Sequence, residues 1–211
     1  MSLFRLDASI MPTTSASAEL ANVVEAEWSA ARPGEPVLRR HLGTDPLPAD
    51  AWTLATTAGF VPEDQRSPAQ RDALALAAAL KAELTDADAV LLAVPLYNYG
   101  VSQHFKAWVD LVIAAAGPAD QGVLKDKPTV LVTVRGGGYG PGTPREGWDH
   151  STPYLRRILA DMWQADLTVV ERELTLVGVN PVLDHLKDLA AQRHAEARDT
   201  AHHTGRALAA K

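Results

Sequence analysis

The stretch Ala89-Val90-Leu91-Leu92-Ala93-Val94-Pro95-Leu96-Tyr97-Asn98-Tyr99-Gly100-Val101 decides the fold. It opens as an unbroken apolar run, too short for a long helix, and stops at Pro95. A strand buried on both faces of a parallel sheet reads this way. Beyond it, Phe105, Trp108, Val109 and Val112 fall on one face of a helix. In an open α/β sheet, the loop leaving the carboxyl end of a central strand is where ligands sit. Here that loop carries Leu96, Tyr97, Asn98 and Tyr99, followed by a glycine. Two phenols and an amide suit a flat, partly polar aromatic ligand, and they equally suit a turn whose tyrosines merely pack.

The flanking sequence repeats the strand-then-helix pattern. Leu3 to Ala8 is a candidate strand interrupted by Arg5 and Asp7. Ser9, Ser15, Ala16 and Ser17 belong to a hydroxyl-rich loop that leads into a helix with Leu20, Val23, Val24 and Trp28 at helical spacing. Free amides and the helix dipole make such a loop an anion site, while the same serines are ordinary helix caps. Pro36 to His41 reads as an edge strand, and the Pro- and Asp-rich segment from Gly43 to Ser67 is long enough to include a short helix. Pro68 to Leu84 is an alanine-rich helix with Leu76, Leu80 and Leu84 aligned. Pro128 to Val134 is a further strand, followed by Arg135, Gly136, Gly137, Gly138 and Tyr139. This run lacks both the dinucleotide G-x-G-x-x-G spacing and the P-loop lysine, yet bare glycine amides there allow close approach to a ring. A helix over Thr152 to Met162, a strand over Leu167 to Val177 and a terminal helix over Pro181 to Ala209 complete the pattern. In the terminal helix, Leu183, Leu186, Leu189 and Ala190 are expected inward.

Five strands alternating with helices predict a flavodoxin-like three-layer α/β sandwich. Its five-stranded parallel sheet has order 2-1-3-4-5, in one domain spanning residues 1–211. The loops after the first, third and fourth strands then meet at one edge. Apolar residues make up 46% and charged residues 22% of the 211, which fits a globular chain with ample core. No window is apolar enough for a membrane span, and the N-terminus has no signal-peptide pattern. Zero cysteines exclude disulfides and thiolate chemistry, and point to the cytoplasm. A net charge of −6 argues against nucleic-acid partners. The seven histidines show no metal-ligand spacing, and no G-x-S-x-G hydrolase elbow is present.

Taken in order, these motifs resemble those of the FMN-dependent NADH:quinone oxidoreductases known as azoreductases, nearly end to end. Ser9 with Ser15-Ala16-Ser17 is similar to the family's phosphate loop. Leu96-Tyr97-Asn98-Tyr99 is similar to its Met-Tyr-Asn-Phe flavin motif, and Lys106, Trp108 and Asp110 fit the helix that follows. Val134-Arg135-Gly136-Gly137 stands where the family has Ser-Arg-Gly-Gly, and Thr152-Pro153-Tyr154-Leu155 is similar to the next helix start. The resemblance implies bound FMN, NADH or NADPH as electron donor, and a homodimer with the site at the subunit interface. It implies two-electron ping-pong reduction of quinones and azo compounds. It also implies charge stabilisation by the Gly136 and Gly137 amides, with Tyr139 and His150 as candidate proton donors. Two further readings share this fold: a reductase for one aromatic metabolite, and an FMN-binding electron carrier or redox sensor. Three departures stand out: Val134 in place of Ser, Tyr139 where some members carry His, and a shortened segment over residues 116–122. The last predicts a more open or differently roofed pocket.

Overall fold

The computed structural model describes residues 1–117 and 122–211. Five parallel strands, β1 (Leu3–Asp7), β2 (Val37–His41), β3 (Ala89–Ala93), β4 (Pro128–Val134) and β5 (Asp166–Arg172), form one sheet in the order β2-β1-β3-β4-β5. This is the expected flavodoxin-like order. Helices α1 (Ala16–Ala31) and α6 (Lys187–Ala209) cover one face. The other face carries α2 (Ala51–Ala58), α3 (Pro68–Asp86), α4 (Gln103–Ala116) and α5 (Thr152–Arg156). The alternation of β3 shows why: Val90 and Leu92 join the α3–α4 core, while Ala89, Leu91 and Ala93 join the α1–α6 core. Every residue of β3 is buried, as its continuous apolar run requires.

The two charges that interrupt β1 do not weaken it. Arg5 and Asp7 point to the α1 face, only 5% and 6% exposed, and pair with each other through Nε–Oδ2 (2.8 Å) and Nη2–Oδ1 (3.0 Å). Arg5 Nη1 then donates to Asn22 (2.7 Å) and Glu25 (3.1 Å) of α1. The planar fork is thus filled on both sides, which is the condition for tolerating a buried ion pair.

Three sequence expectations change. The last strand ends at Arg172 and not at Val177. Leu174 adopts φ +62, and the amides of Leu174, Thr175 and Leu176 donate to the carbonyls of Gly137, Arg135 and Gly136, so this apolar segment closes on the glycine loop. The helix beginning at Thr152 widens into a π-helical stretch over Arg157–Met162, where the Trp163 amide donates to the Ile158 carbonyl. This seats Trp163, fully buried, edge-on to Trp108 at 5.7 Å. The C-terminal segment begins as a 3-10 helix over Pro181–Leu186 before α6. Ala190 is buried as expected, but Leu189 faces solvent and Leu183 and Leu186 are half-buried; α6 packs mainly through Ala197, Ala201 and Leu208. Small residues win there because α1 and α6 lie close, and a Cβ at Gly205 would sit 2.5 Å from the Val24 carbonyl oxygen.

The shortened segment falls partly on residues 118–121, outside the described residues. Its downstream flank lies at the amino edge of the sheet, where Lys127 donates to the Leu84 and Thr85 carbonyls at the end of α3. Among the described residues no helix is long and apolar enough to cross a membrane.

Replacing Arg5 by Met should strand the buried Asp7 carboxylate and cost about 3–5 kcal/mol in urea unfolding. The double variant R5M/D7L should recover most of that loss. Equal destabilisation by the single and double variants would show that the pair is not what anchors β1 to α1.

Candidate active site

Because β1, β3 and β4 run parallel and in register, their following loops leave one edge together. The Ala8 amide donates to Ala93, the Val94 amide to Val132 and the Leu96 amide to Val134, which carries the alignment past the strand ends. A cavity of about 460 Å³ opens there. From the first loop it is lined by Ser9, Met11, Thr14, Ser15 and Ala16, and from the second by Leu96, Tyr97 and Asn98. Val134, Gly136, Tyr139 and Arg145 form the third wall, closed by Thr175, Leu176 and Val179. No carboxylate lines it, although the chain as a whole is acidic.

The first two loops are tied by one phenol. The Tyr97 hydroxyl lies 3.0 Å from Ser9 Oγ and accepts from the Ile10 amide at 3.2 Å, while Ser9 Oγ accepts from the Met11 amide at 3.1 Å. Ser15 is the N-cap of α1: its side chain accepts from the Ala18 amide at 3.1 Å. Ser17, fully buried, lies behind the wall with its hydroxyl 3.0 Å from that of Ser15. Capping is therefore what Ser15 does in the fold. It also leaves the first-turn amides of Ala16 and Ser17 without intrahelical acceptors, at the positive end of the helix.

The Tyr97-to-Gly100 segment is a tight turn closed by Tyr97 N–Gly100 O (3.0 Å) and Gly100 N–Tyr97 O (2.9 Å). Both central residues are left-handed, Asn98 at φ 48 and Tyr99 at φ 69. This backbone sign suits Asn but is costly for Tyr, and such outliers concentrate at ligand sites. The turn points Asn98 along the cavity and carries Tyr99 outside it. Tyr99 stands edge-on to Trp148 (5.6 Å) and Tyr139 (6.4 Å), so three aromatic rings cluster at the rim.

Arg135, Gly137 and His150, all expected at the ligand, do not line this cavity. Arg135 is buried and turned away from the cavity: Nε donates to Asp149 (2.6 Å), and Nη2 to Thr152 (2.9 Å) and Glu171 (2.8 Å). It fastens the glycine loop to α5 and β5. Gly137 lines a neighbouring cleft, and a Cβ on it would lie 2.8 Å from Arg145 Nη1. A Cβ on Gly136 would come within 2.6 Å of Leu176 Cδ1, so the glycine is what lets Leu176 close the wall. His150 is exposed. Its amide holds the Tyr99 carbonyl at 2.9 Å, and its ring lines a cleft on the far side of the Asn98 turn, with His104 and Tyr154. Burial, with Asp110 nearby, pushes the Tyr154 phenol up to about 12, so it stays protonated. Among the described residues no group of His, Asp or Glu is placed to hold a metal ion. Sequence reading missed Arg145, Leu176 and Val179, which sit in loops with no periodicity to reveal their direction.

Burial works against the charge on Asp149, but the Thr152 amide and hydroxyl and the Arg135 guanidinium outweigh it and hold the carboxyl below its ordinary value. A depressed folded-state pKa means that the unfolded chain binds the proton more tightly. The stability gained is thus present above the usual aspartate value near 3.9, and is lost as pH falls through that value toward the folded one. Asp149→Asn should flatten the acid limb of the stability curve in that window. An unchanged slope between about pH 5 and 3 would show that Asp149 does not couple to folding.

A family model described as having the flavodoxin-like fold matches residues 1–202. An FMN-dependent NADH:quinone oxidoreductase of Frankia casuarinae is 38% identical over 199 residues, 92% of this chain and 94% of that protein. One of Streptomyces avermitilis is 36% identical over 94% of this chain and 93% of its own. Among solved structures, an azoreductase from Bacillus anthracis superposes with TM-score 0.79 at 20% identity, covering 98% of this chain and 99% of that one. An FMN-dependent NADH-azoreductase from the same species, in complex with FMN, superposes with TM-score 0.71 at 13% identity, covering 97% and 99%. At such identities the structural likeness speaks for the fold, and the sequence matches carry the family. With the strand order, the converging loops and these relatives in hand, the chain belongs to the FMN-dependent NADH:quinone oxidoreductase family of the flavodoxin-like fold.

Proposed function

We propose that the chain holds FMN at this sheet edge and uses it to reduce quinones, and secondarily azo compounds, at the expense of NADH or NADPH. The observation that carries this reading is the single cavity in which a capped helix N-terminus, the Tyr97–Asn98 turn and the Gly136 wall meet without a carboxylate. The residues fit the group. A phosphate would be taken by the Ser15 hydroxyl and the first-turn amides of Ala16 and Ser17, where the helix dipole favours negative charge. Leu96, Tyr97 and Asn98 on one side and Val134 and Gly136 on the other would flank the ring system. Bound there, FMN would supply two-electron chemistry, accepting hydride equivalents from the nicotinamide donor and passing them to the acceptor.

The chain's own part is positioning. Tyr97 fixes the spacing between the phosphate loop and the ring loop. The Gly136 amide offers a donor toward charge that develops on a bound ring, without any side-chain acid. Tyr139, in the cavity wall, is better placed than His150 to give a proton to a product. The loop that carries Tyr139 and Arg145 walls in the cavity, which favours turnover of small molecules over docking of a protein electron partner. A homodimer belongs to the same reading. It is supported by Trp52 and Phe60, 49% and 85% exposed between β2 and α3, which leave apolar surface for a second copy. A cytoplasmic location belongs to it too, given the cysteine-free composition.

The protein should purify yellow, with one FMN per chain, and its visible absorbance should bleach with NADH and recover with benzoquinone. Colourless protein that fails to take up added FMN would overturn the proposal. Tyr97→Phe removes the tether without changing the ring. It should weaken FMN by roughly two- to tenfold, the worth of one or two neutral hydrogen bonds. Unchanged affinity by fluorescence titration would remove Tyr97 from the account. Light scattering should show two chains per particle, and an active monomer would contradict the dimer.

A further inference from the structure

Arg145 stands apart from the other arginines. Each of the others donates to a carboxylate, an amide or a carbonyl oxygen. The Arg145 guanidinium has no such acceptor among the described residues and rests instead over the Tyr139 ring, 5.7 Å from its centroid. It lines the 460 Å³ cavity and also a second cleft of about 600 Å³ on the other side of the glycine loop. That cleft is framed by Pro141 and Pro144 of the loop, by Leu183 and Leu186 of the 3-10 helix and by Leu189 of α6. Leu189 is among the large apolar side chains left exposed. An acidic side chain in the cleft, Glu173, is already occupied: it accepts from the Tyr139 amide at 2.9 Å and faces Arg135 at 3.8 Å. Arg193, also in the cleft, pairs with Glu196 at 3.0 Å.

A planar fork donor with no acceptor, placed where two cavities join, suits a phosphate group that links two ring-bearing halves. The nicotinamide donor of the function proposed above has that shape. From this juxtaposition we infer that the second cleft is the seat of the donor's adenosine half, and that Arg145 clamps the pyrophosphate between it and the nicotinamide in the first cavity. The quinone acceptor has no phosphate and would not need Arg145. The apolar walls of Pro141, Pro144, Leu183 and Leu186 would take the adenine faces, while the Tyr139 ring keeps the guanidinium extended across the junction.

The inference rests on the proposed function, so FMN binding is titrated first on every variant; loss of FMN in the wild type counts against that reading and removes the donor with it. With FMN bound, two probes separate the halves of the donor: ADP-ribose, which lacks nicotinamide, and reduced nicotinamide riboside, which lacks the pyrophosphate and adenosine. ADP-ribose should bind the wild type in calorimetry and compete with NADH. Arg145→Gln should weaken it by roughly 10- to 100-fold, the range of a charged hydrogen-bond pair. The ratio of kcat/KM for NADH to that for the riboside should fall by a similar factor. Leu183→Trp, which fills the cleft and leaves Arg145 in place, should also weaken ADP-ribose. The inference is overturned if the wild type oxidises NADH yet does not bind ADP-ribose. It is equally overturned if both variants bind ADP-ribose as the wild type does with the ratio unchanged.

Discussion

Parallel pairing of β1, β3 and β4 is the constraint on which everything else depends. Strands that run the same way and are buried on both faces must discharge their connecting loops at one edge. There the loops have no sheet partners left, and their amides and hydroxyls turn to one another. The Tyr97 phenol, against Ser9 and the Ile10 amide, is the contact that turns two adjacent loops into one wall. Without the aligned register of Asp7 with Ala93 and Ala93 with Val132, that phenol would have nothing to reach.

The edge is stiffened from behind by buried charge. Arg5 locks β1 to α1, the helix whose first turn faces the cavity. Arg135 locks the glycine loop to Asp149, Thr152 and Glu171. Both guanidiniums satisfy several acceptors, which makes a buried ion worth keeping, and both keep their charge out of the cavity itself. The result is a pocket whose wall offers amides and hydroxyls, with a single arginine at its rim.

How much of this was legible in the sequence follows from which signals are local. The apolar runs of β3 and β4 and the helical spacing of Phe105, Trp108 and Val109 announced a parallel sheet with the right order. The hydroxyl loop, the Tyr97–Asn98 loop and the glycine loop announced one edge. Side-chain direction was not legible. Arg135 sits one residue past Val134, and strand alternation turns it from the cavity. Thr175 to Val177 reads as strand because it is apolar, yet Leu174 at φ +62 turns it onto the glycine loop. The terminal helix buries Ala201 and Gly205 in preference to Leu189, because the close approach of α1 rewards small residues. Arg145 lies in a loop of glycines and prolines with no period at all, so only the fold could reveal what it faces.

One sheet edge, and no other surface, should receive the cofactor. Amide hydrogen exchange with and without added FMN tests it most directly, since ligand binding protects the backbone that it orders. Exchange should slow only over Ile10–Ser17, Leu96–Gly100 and Gly136–Tyr139, with β2, α2 and the amino edge near Lys127 unchanged. Protection centred on any other surface, or none at saturating FMN, would contradict this placement.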